Sequence, residues 1–311
     1  MKKRKRKEEK NVPLSKYQRF CYRIFGDIAE NRVSENLKKD LVKAGIDIRA
    51  GAYLAYTWMN TIISIVVSLV VMVILFFVIM PSLGIDLFGT SSESSKILYS
   101  LLIFLIPFGL GFLTYFLHLT YPKSKAKARG KKIDHSLPYA LNFISTMSAA
   151  GIAPHEIFIS LSKQNIYGEV KEEAARIAKD MTLLGIDIIT ALKRAIERTP
   201  SERFKEFLQG AVVTVTSGGT LKPYFMAKAE QYMRENRQNF KQFLETLGVM
   251  AEAYVTAAVA GPLFILIVVV LLSMIRGGSQ QLAFMYFFVL LVLPLIHLGF
   301  ALVIKSMTPE V

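Results

Sequence analysis

The sequence predicts an all-α fold: a polytopic membrane protein with four transmembrane helices and a cytoplasmic antiparallel helical bundle between them. Three observations lead there. Segments 54–80, 97–121, 253–275 and 282–304 contain no Asp, Glu, Lys or Arg. Each can cross a hydrocarbon core, which takes roughly 20 apolar residues as helix, and in lipid every backbone amide must be satisfied within its own segment. The second observation is that the polar stretch 122–252 carries apolar residues at helical spacing. The third is segregation of charge: the chain is 52% hydrophobic yet carries a formal charge of +14.

Charge sets the topology. Residues 1–52 hold 15 Lys and Arg against 7 Asp and Glu, residues 122–252 hold 20 against 14, and the 81–96 connection holds 1 against 2. Basic residues near membrane ends stay on the cytoplasmic side. The cluster Lys123, Lys125, Lys127, Arg129, Lys131, Lys132 marks the inner end of the second span, and Arg276 outside is a small cost. The expected organisation is a basic cytoplasmic arm (1–52), a transmembrane hairpin (53–121), a cytoplasmic six-helix domain (122–252), a second hairpin (253–304) and a short cytoplasmic tail (305–311). The expected location is the cell (inner, cytoplasmic) membrane, multi-pass, with both termini inside. The first apolar run begins at residue 54, so no signal peptide is expected. The basic run at 2–7 reads as an arm that meets anionic lipid rather than nucleic acid. Cys21 stands alone, which leaves neither a disulfide nor a cysteine-metal framework.

Along the chain, residues 34–51 place Leu37, Leu41 and Val42 on one helical stripe, with Gly45 where the helix stops. Two readings fit: a helix on the inner membrane surface, or one docked on the cytoplasmic domain. After Pro122, Leu137, Leu141, Ile144 and Met147 form a stripe ended by Ala150-Gly151. Pro154 opens a helix with Ile157, Phe158 and Leu161. Val170, Ala174, Ile177, Met181 and Leu184 run on to Gly185, and Ile188, Leu192 and Ile196 follow. Thr199-Pro200-Ser201-Glu202 reads as a capping box, with the Thr199 hydroxyl and Glu202 carboxylate on orphan amides. Its helix carries Phe204, Leu208, Ala211 and Val215, and Ser217-Gly218-Gly219 ends it. A last helix with Leu221, Phe225, Tyr232, Phe240, Phe243 and Leu247 runs on into the third span. Six one-faced helices with short turns form an antiparallel bundle most economically, and the aromatic stripe reads as core.

Catalytic chemistry finds no foothold. His118, His135, His155 and His297 lie in no ligand spacing, and Gly130-Lys131 lacks the rest of a phosphate loop. No enzyme activity, cofactor or metal is expected. His297, the one ionisable group deep in a span, raises a proton-relay reading, but without an acidic partner it reads as a neutral hydrogen-bonding group. Asn60 should hydrogen-bond between helices. Pro107, Pro262 and Pro294 read as kinks tolerated by packing. A small membrane transporter or channel is the alternative reading, disfavoured because polar residues in the spans are so few.

Leu137-Pro138-Tyr139-Ala140-Leu141, then Ala150-Gly151, Leu184-Gly185 with Ala191-Leu192, Pro200 with Phe204, and Ser217-Gly218-Gly219 with Leu221 resemble the type II secretion F-domain. The motif positions are Pro138, Gly151, Gly185, Pro200, Gly218 and Gly219. The resemblance covers about residues 133–250. It is nearest the single-copy tight-adherence and archaeal branches, since many other members carry two copies. It implies a non-enzymatic platform for a type IV pilus-like filament, archaeal flagellum or secretion system, coupling a cytoplasmic assembly ATPase to pilin-like subunits. Self-assembly and pairing with a sister F-domain protein both stay open. If the first domain helix runs away from the membrane and each helix reverses, the turns at Gly151, Gly185 and Gly218 fall at the distal tip. Thr199-Pro200 then falls nearer the membrane. That count nominates His155, Glu156 and Asp187 as partner contacts.

Overall fold

The computed structural model describes residues 15–75, 93–276 and 279–307. The basic run at 2–7 and the connection at 81–92 lie outside them. Among the described residues all regular structure is helical. The chain forms two compact units, Met1–Met226 and Ala227–Val311.

The first unit opens with a helix that the sequence reading missed, α1 (Lys16–Arg32). Its signal was present as a capping box: the Gln18 amide donates to Ser15 Oγ at 3.3 Å, and the Ser15 amide donates to Gln18 Oε1 at 3.1 Å. After it come α2 (Glu35–Lys43), the apolar α3 (Ala50–Ile74) and α4 (Glu93–Ala149). Leu37 and Leu41 of α2 join Ala29, Tyr53, Leu54 and Ala55 in one buried cluster, and α2 also packs on α4. Of the two readings for α2, the structure takes docking on protein. Val42, expected on the same stripe, is exposed.

Helix α4 is 57 residues long and passes through Pro107, Pro122 and Pro138 without ending. An interior proline removes one hydrogen bond at a cost of about 3 kcal/mol, which long flanking packing can absorb. The apolar segment 97–121 and the helix that begins the domain are therefore one continuous helix. Asn60 makes the expected interhelical bond, its Nδ2 3.2 Å from His118 Nε2. His118 Nδ1 lies 3.0 Å from the Thr114 carbonyl, so a neutral ring carries its proton there and accepts from Asn60. Ser64 and Thr114 hydroxyls pair at 3.0 Å, and Tyr53 donates to the His118 carbonyl at 2.7 Å. A Cβ on Gly111 would overlap Ile65, so the two helices approach by way of a missing side chain.

The helical domain adds α5 (Pro154–Leu161), a 3₁₀ turn (Asn165–Tyr167), α6 (Gly168–Thr182), α7 (Ile188–Arg198), α8 (Glu202–Thr216) and the start of α9 (Leu221–Tyr254). Leu137, Leu141, Ile144, Ile157, Phe158, Leu161, Val170, Ala174, Ile177, Leu192, Phe204, Leu208 and Phe225 are all at most 1% exposed. The expected stripes form the core, with edges trimmed. Helix α6 ends at Thr182, so Leu184 is left exposed, and Val215 gives way to Phe207 and Val212. The turns after α4 and α8 share one geometry. Gly151 and Gly218 adopt positive φ, and the next amide reaches back five residues, Ile152 to Met147 and Gly219 to Thr214.

In the second unit α9 passes through a π-helical turn (Val255–Ala260) into α10 (Gly261–Arg276). Then α11 (Ser279–Phe287) passes through another (Phe288–Val292) into α12 (Leu293–Met307). Each π turn ends just before a proline, Pro262 or Pro294. Proline has no amide for the preceding turn's carbonyl, and a widened turn accommodates the loss. The aromatic stripe does not stay buried throughout, for Phe240 is 59% exposed. Among the described residues, three helices are long and apolar enough to cross a membrane, Ala50–Ile74, Leu221–Ile275 and Ala283–Met307. The remaining apolar segment, 97–121, lies within α4.

Candidate partner interface

The direction of each helix in the domain decides which turns share an end. The Tyr167 ring lies 5.7 Å from that of Phe143, and Glu169 and Glu173 reach back to Arg129. Helix α6 therefore advances towards Arg129, antiparallel to α4. Ser201 Oγ bonds the Asp134 carboxylate, and the Pro200 carbonyl sits against Gly130, where a Cβ would come within 2.9 Å. The α7–α8 turn thus stands beside residues 130–134. That close approach accounts for Gly130 without any phosphate loop. At the other end of the domain, Lys222 Nζ donates to the Ala149 carbonyl at 3.0 Å and brings the Gly218 and Gly151 turns together.

These contacts separate the three nominated residues. His155 and Glu156 stand exposed in the first turn of α5, beside Gly151. Asp187 follows α6 out at the Arg129 end, with Gly185. The count of reversals failed because α5 is only 8 residues, about 12 Å. The 3₁₀ turn then hands the chain to α6 in the same direction rather than turning it back. Asp187 also has a local task. It caps α7, accepting from the Thr190 amide at 3.0 Å, and that backbone bond holds its carboxyl below the usual range. Glu156 suits the positive end of the α5 dipole. Of the motif positions, Pro138 is buried in α4, Pro200 half-buried in its turn, and Gly151, Gly185, Gly218 and Gly219 exposed.

The capping box at the start of α8 is shifted from its expected place. Pro200 forces Thr199 into extended backbone, where it ends α7. Ser201 is the N-cap instead, accepting from the Phe204 amide at 2.9 Å.

The sequence reading also missed an ionic knot. Arg129, read in the sequence as part of the basic cluster at the inner end of the second span, is 7% exposed, and its partner Glu173 is fully buried. Arg129 Nε donates to Glu169 Oε2 at 2.7 Å, Nη1 donates to the Lys43 carbonyl at 3.2 Å, and Nη2 lies 2.6 Å from Glu173 Oε1. The last contact brings charges together without hydrogen-bond alignment, and Glu173 Oε2 has no hydrogen-bond partner among the described residues. Burial lowers the pKa of Arg129, while Glu173 and Glu169 more than restore it, so the net shift is upward. The knot joins α4 and α6 to the C-terminal end of α2. A second pair, Arg198–Asp180 at 2.9 Å, joins α7 to α6. The signal for both was helical spacing: Glu169, Glu173, Arg176 and Asp180 recur every three or four residues along α6, beside its apolar stripe.

No group of acidic, His or Cys residues suited to a metal occurs among the described residues. His297 Nδ1 bonds its own helix at the Leu293 carbonyl, 2.8 Å away, and the ring meets Tyr254 edge-on at 5.7 Å. Both contacts are those of a packing and hydrogen-bonding group.

Comparison with known proteins places this arrangement. Residues 140–269 match the family described as type II secretion system (T2SS), protein F. An uncharacterised protein of Methanocaldococcus jannaschii is 34% identical over 169 residues, 54% of this chain and 28% of the relative. A second uncharacterised protein of that organism is 28% identical over 43% of this chain and 41% of its own length. Its flagella accessory protein J is 24% identical over 44% of this chain and 25% of the relative. Each match takes in well under two thirds of the relative. No solved structure matches this chain. The matched family segment begins within α4, takes in the rest of the helical domain, and runs on into the apolar α10. Over residues 140–269, this chain is thus similar to the type II secretion system protein F family.

Proposed function

We propose that this chain is the membrane platform of a type IV pilus-like or archaeal flagellum-type filament, or of a related secretion system. The family match across 140–269, which joins the helical domain to an apolar helix, carries the reading. The likeness to a flagella accessory protein points it towards the archaeal branch. On this reading four helices span the cell membrane, the fourth being the 97–121 portion of α4, and both termini are cytoplasmic. The protein is not an enzyme. Its domain takes the stroke of a cytoplasmic assembly ATPase, and its spans receive pilin-like subunits, with a second copy or a sister F-domain protein completing the platform. Anionic lipid holds the basic arm at 2–7.

The ATPase docks at the Gly151–Gly218 end, with His155 and Glu156 in contact. The continuity of α4 supports a mechanical role, because force applied at that end reaches residues 97–121 through one unbroken rod. Co-purification of the full-length protein with an assembly ATPase from the same cells tests this. Glu156→Lys should weaken recovery at least fivefold with membrane insertion unchanged, and Asp187→Lys should leave it intact. Loss with Asp187→Lys alone would move the docking end. Filament assembly that persists when the gene is deleted would end the platform reading.

A further inference from the structure

Helix α1 has three faces. Cys21, Phe25, Gly26 and Ala29 turn towards α3, with Phe25 edge-on to Trp58 and Tyr17 to Tyr56. Lys16, Arg19, Arg23 and Asp27 lie on a second, exposed face. The third is apolar yet uncovered: Phe20, Ile24 and Ile28, at helical spacing, are 54%, 49% and 55% exposed. Burying such a stripe is worth more than leaving it wet.

The place of α1 points to what buries it. Its contacts with α3 run from Gly51, beside Glu30, to Asn60, whose Oδ1 accepts from the Tyr17 hydroxyl at 2.8 Å. Directly beyond Asn60, Ile62, Ile63, Val66 and Val67 of α3 are exposed as lipid-facing residues are. Tyr17, Tyr53 and Tyr56 gather at the same level, as aromatic rings do where a membrane meets water. The half of α1 nearest that level, residues 16–26, carries Lys16, Arg19 and Arg23 and no acidic residue. An apolar stripe beside a basic flank is the pattern of a helix seated at the surface of an anionic bilayer.

We propose that the Phe20–Ile24–Ile28 face of α1 is embedded in the leaflet around the Gly51–Asn60 end of α3, with Lys16, Arg19 and Arg23 at anionic headgroups. Through Tyr17, Asn60 and His118 this interfacial helix is hydrogen-bonded to both α3 and α4. It sets the depth and tilt at which the first two apolar helices sit. The inference rests on membrane residence and is independent of any ATPase or pilin.

The test uses the full chain in nanodiscs of phosphatidylcholine and phosphatidylglycerol, with Cys21→Ala as background. Single cysteines replace Ile24, Arg23 or, as a control in α3, Ile63, and each carries an environment-sensitive fluorophore. Doxyl-labelled lipid should quench the Ile24 and Ile63 sites at least threefold more than the Arg23 site, and aqueous iodide should show the reverse order. Lys16→Glu with Arg23→Glu should halve lipid quenching at the Ile24 site. Trp58, the single tryptophan, reports through unchanged emission that α1 is still docked on Phe25's side. Lipid quenching at Ile63 but iodide quenching at Ile24 overturns the inference and leaves the membrane reading standing. Shielding of Ile24 from both quenchers means that protein, such as a second copy, covers the face, and overturns it too. Iodide quenching at Ile63 overturns the membrane reading itself.

Discussion

The two compact units are held by different kinds of contact. Residues up to 226 are tied across helices by directional polar links: Tyr17 to Asn60, Asn60 to His118, Arg129 to Glu169 and Glu173, Ser201 to Asp134. From residue 227 on, side-chain hydrogen bonds such as His297 to Leu293 and Thr256 to Glu252 lie within single helices. Rings supply the longer-range contacts there, with Tyr254 edge-on to His297 and Phe300. Polar links fix register, because an unmade buried hydrogen bond is costly. Ring and aliphatic contacts tolerate sliding, and the two π turns show backbone already adjusted. The first unit is built as a fixed frame and the second as a surface that can repack.

The largest test of that contrast is at the ionic knot. Arg129→Met leaves buried Glu173 with only the more distant Arg176, 3.8 Å away, as counter-charge, and should lower stability by roughly 3–5 kcal/mol. The double change with Glu173→Met should recover most of it. Thermal unfolding of the full chain in detergent measures both, and a loss under about 1 kcal/mol for the single change would show that the knot opens to water.

Next come two phenylalanines drawn from stripes that looked alike. Phe204→Ala and Leu208→Ala, both fully buried, should each cost roughly 2–5 kcal/mol. Phe240→Ala, in the second unit and 59% exposed, should stay within about 0.5 kcal/mol. Equal losses at Phe204 and Phe240 would erase the distinction between the units.

The smallest effects set one histidine against another. Asn60→Leu or His118→Phe should each cost on the order of 0.6–1.7 kcal/mol, the range for interhelical hydrogen bonds in membranes. His297→Phe, which gives up only a bond within its own helix, should change stability and filament assembly little. Loss of assembly at normal protein levels with His297→Phe would revive the proton relay.

How much of this was legible beforehand follows from the range of each interaction. The core stripes of α5, α6 and α8, the stops at Gly151 and Gly218 and the continuity of α9 into an apolar helix all rest on residues within a few positions of one another. Periodicity and turn chemistry expose such features directly. Helix α1 was legible as well, through Ser15 and Gln18, and was passed over because its apolar residues are split between two faces. The capping residue slipped from Thr199 to Ser201 because proline's effect on its neighbour outweighed the pattern of the box.

By itself the sequence determined that the chain is helical, that its charge is segregated from long apolar segments, and which residues of each domain helix turn inward. Backbone geometry and hydrophobic burial act residue by residue, so they are written locally. Tertiary structure alone decided that α4 survives three prolines, that Arg129 is a buried counter-ion rather than a surface charge, and that Asp187 leaves the domain at the opposite end from Glu156. Each of those depends on contacts between residues 40 or more positions apart, such as Arg129 with Glu169 and Lys222 with Ala149. Which distant partners meet is settled by packing the whole set of helices at once.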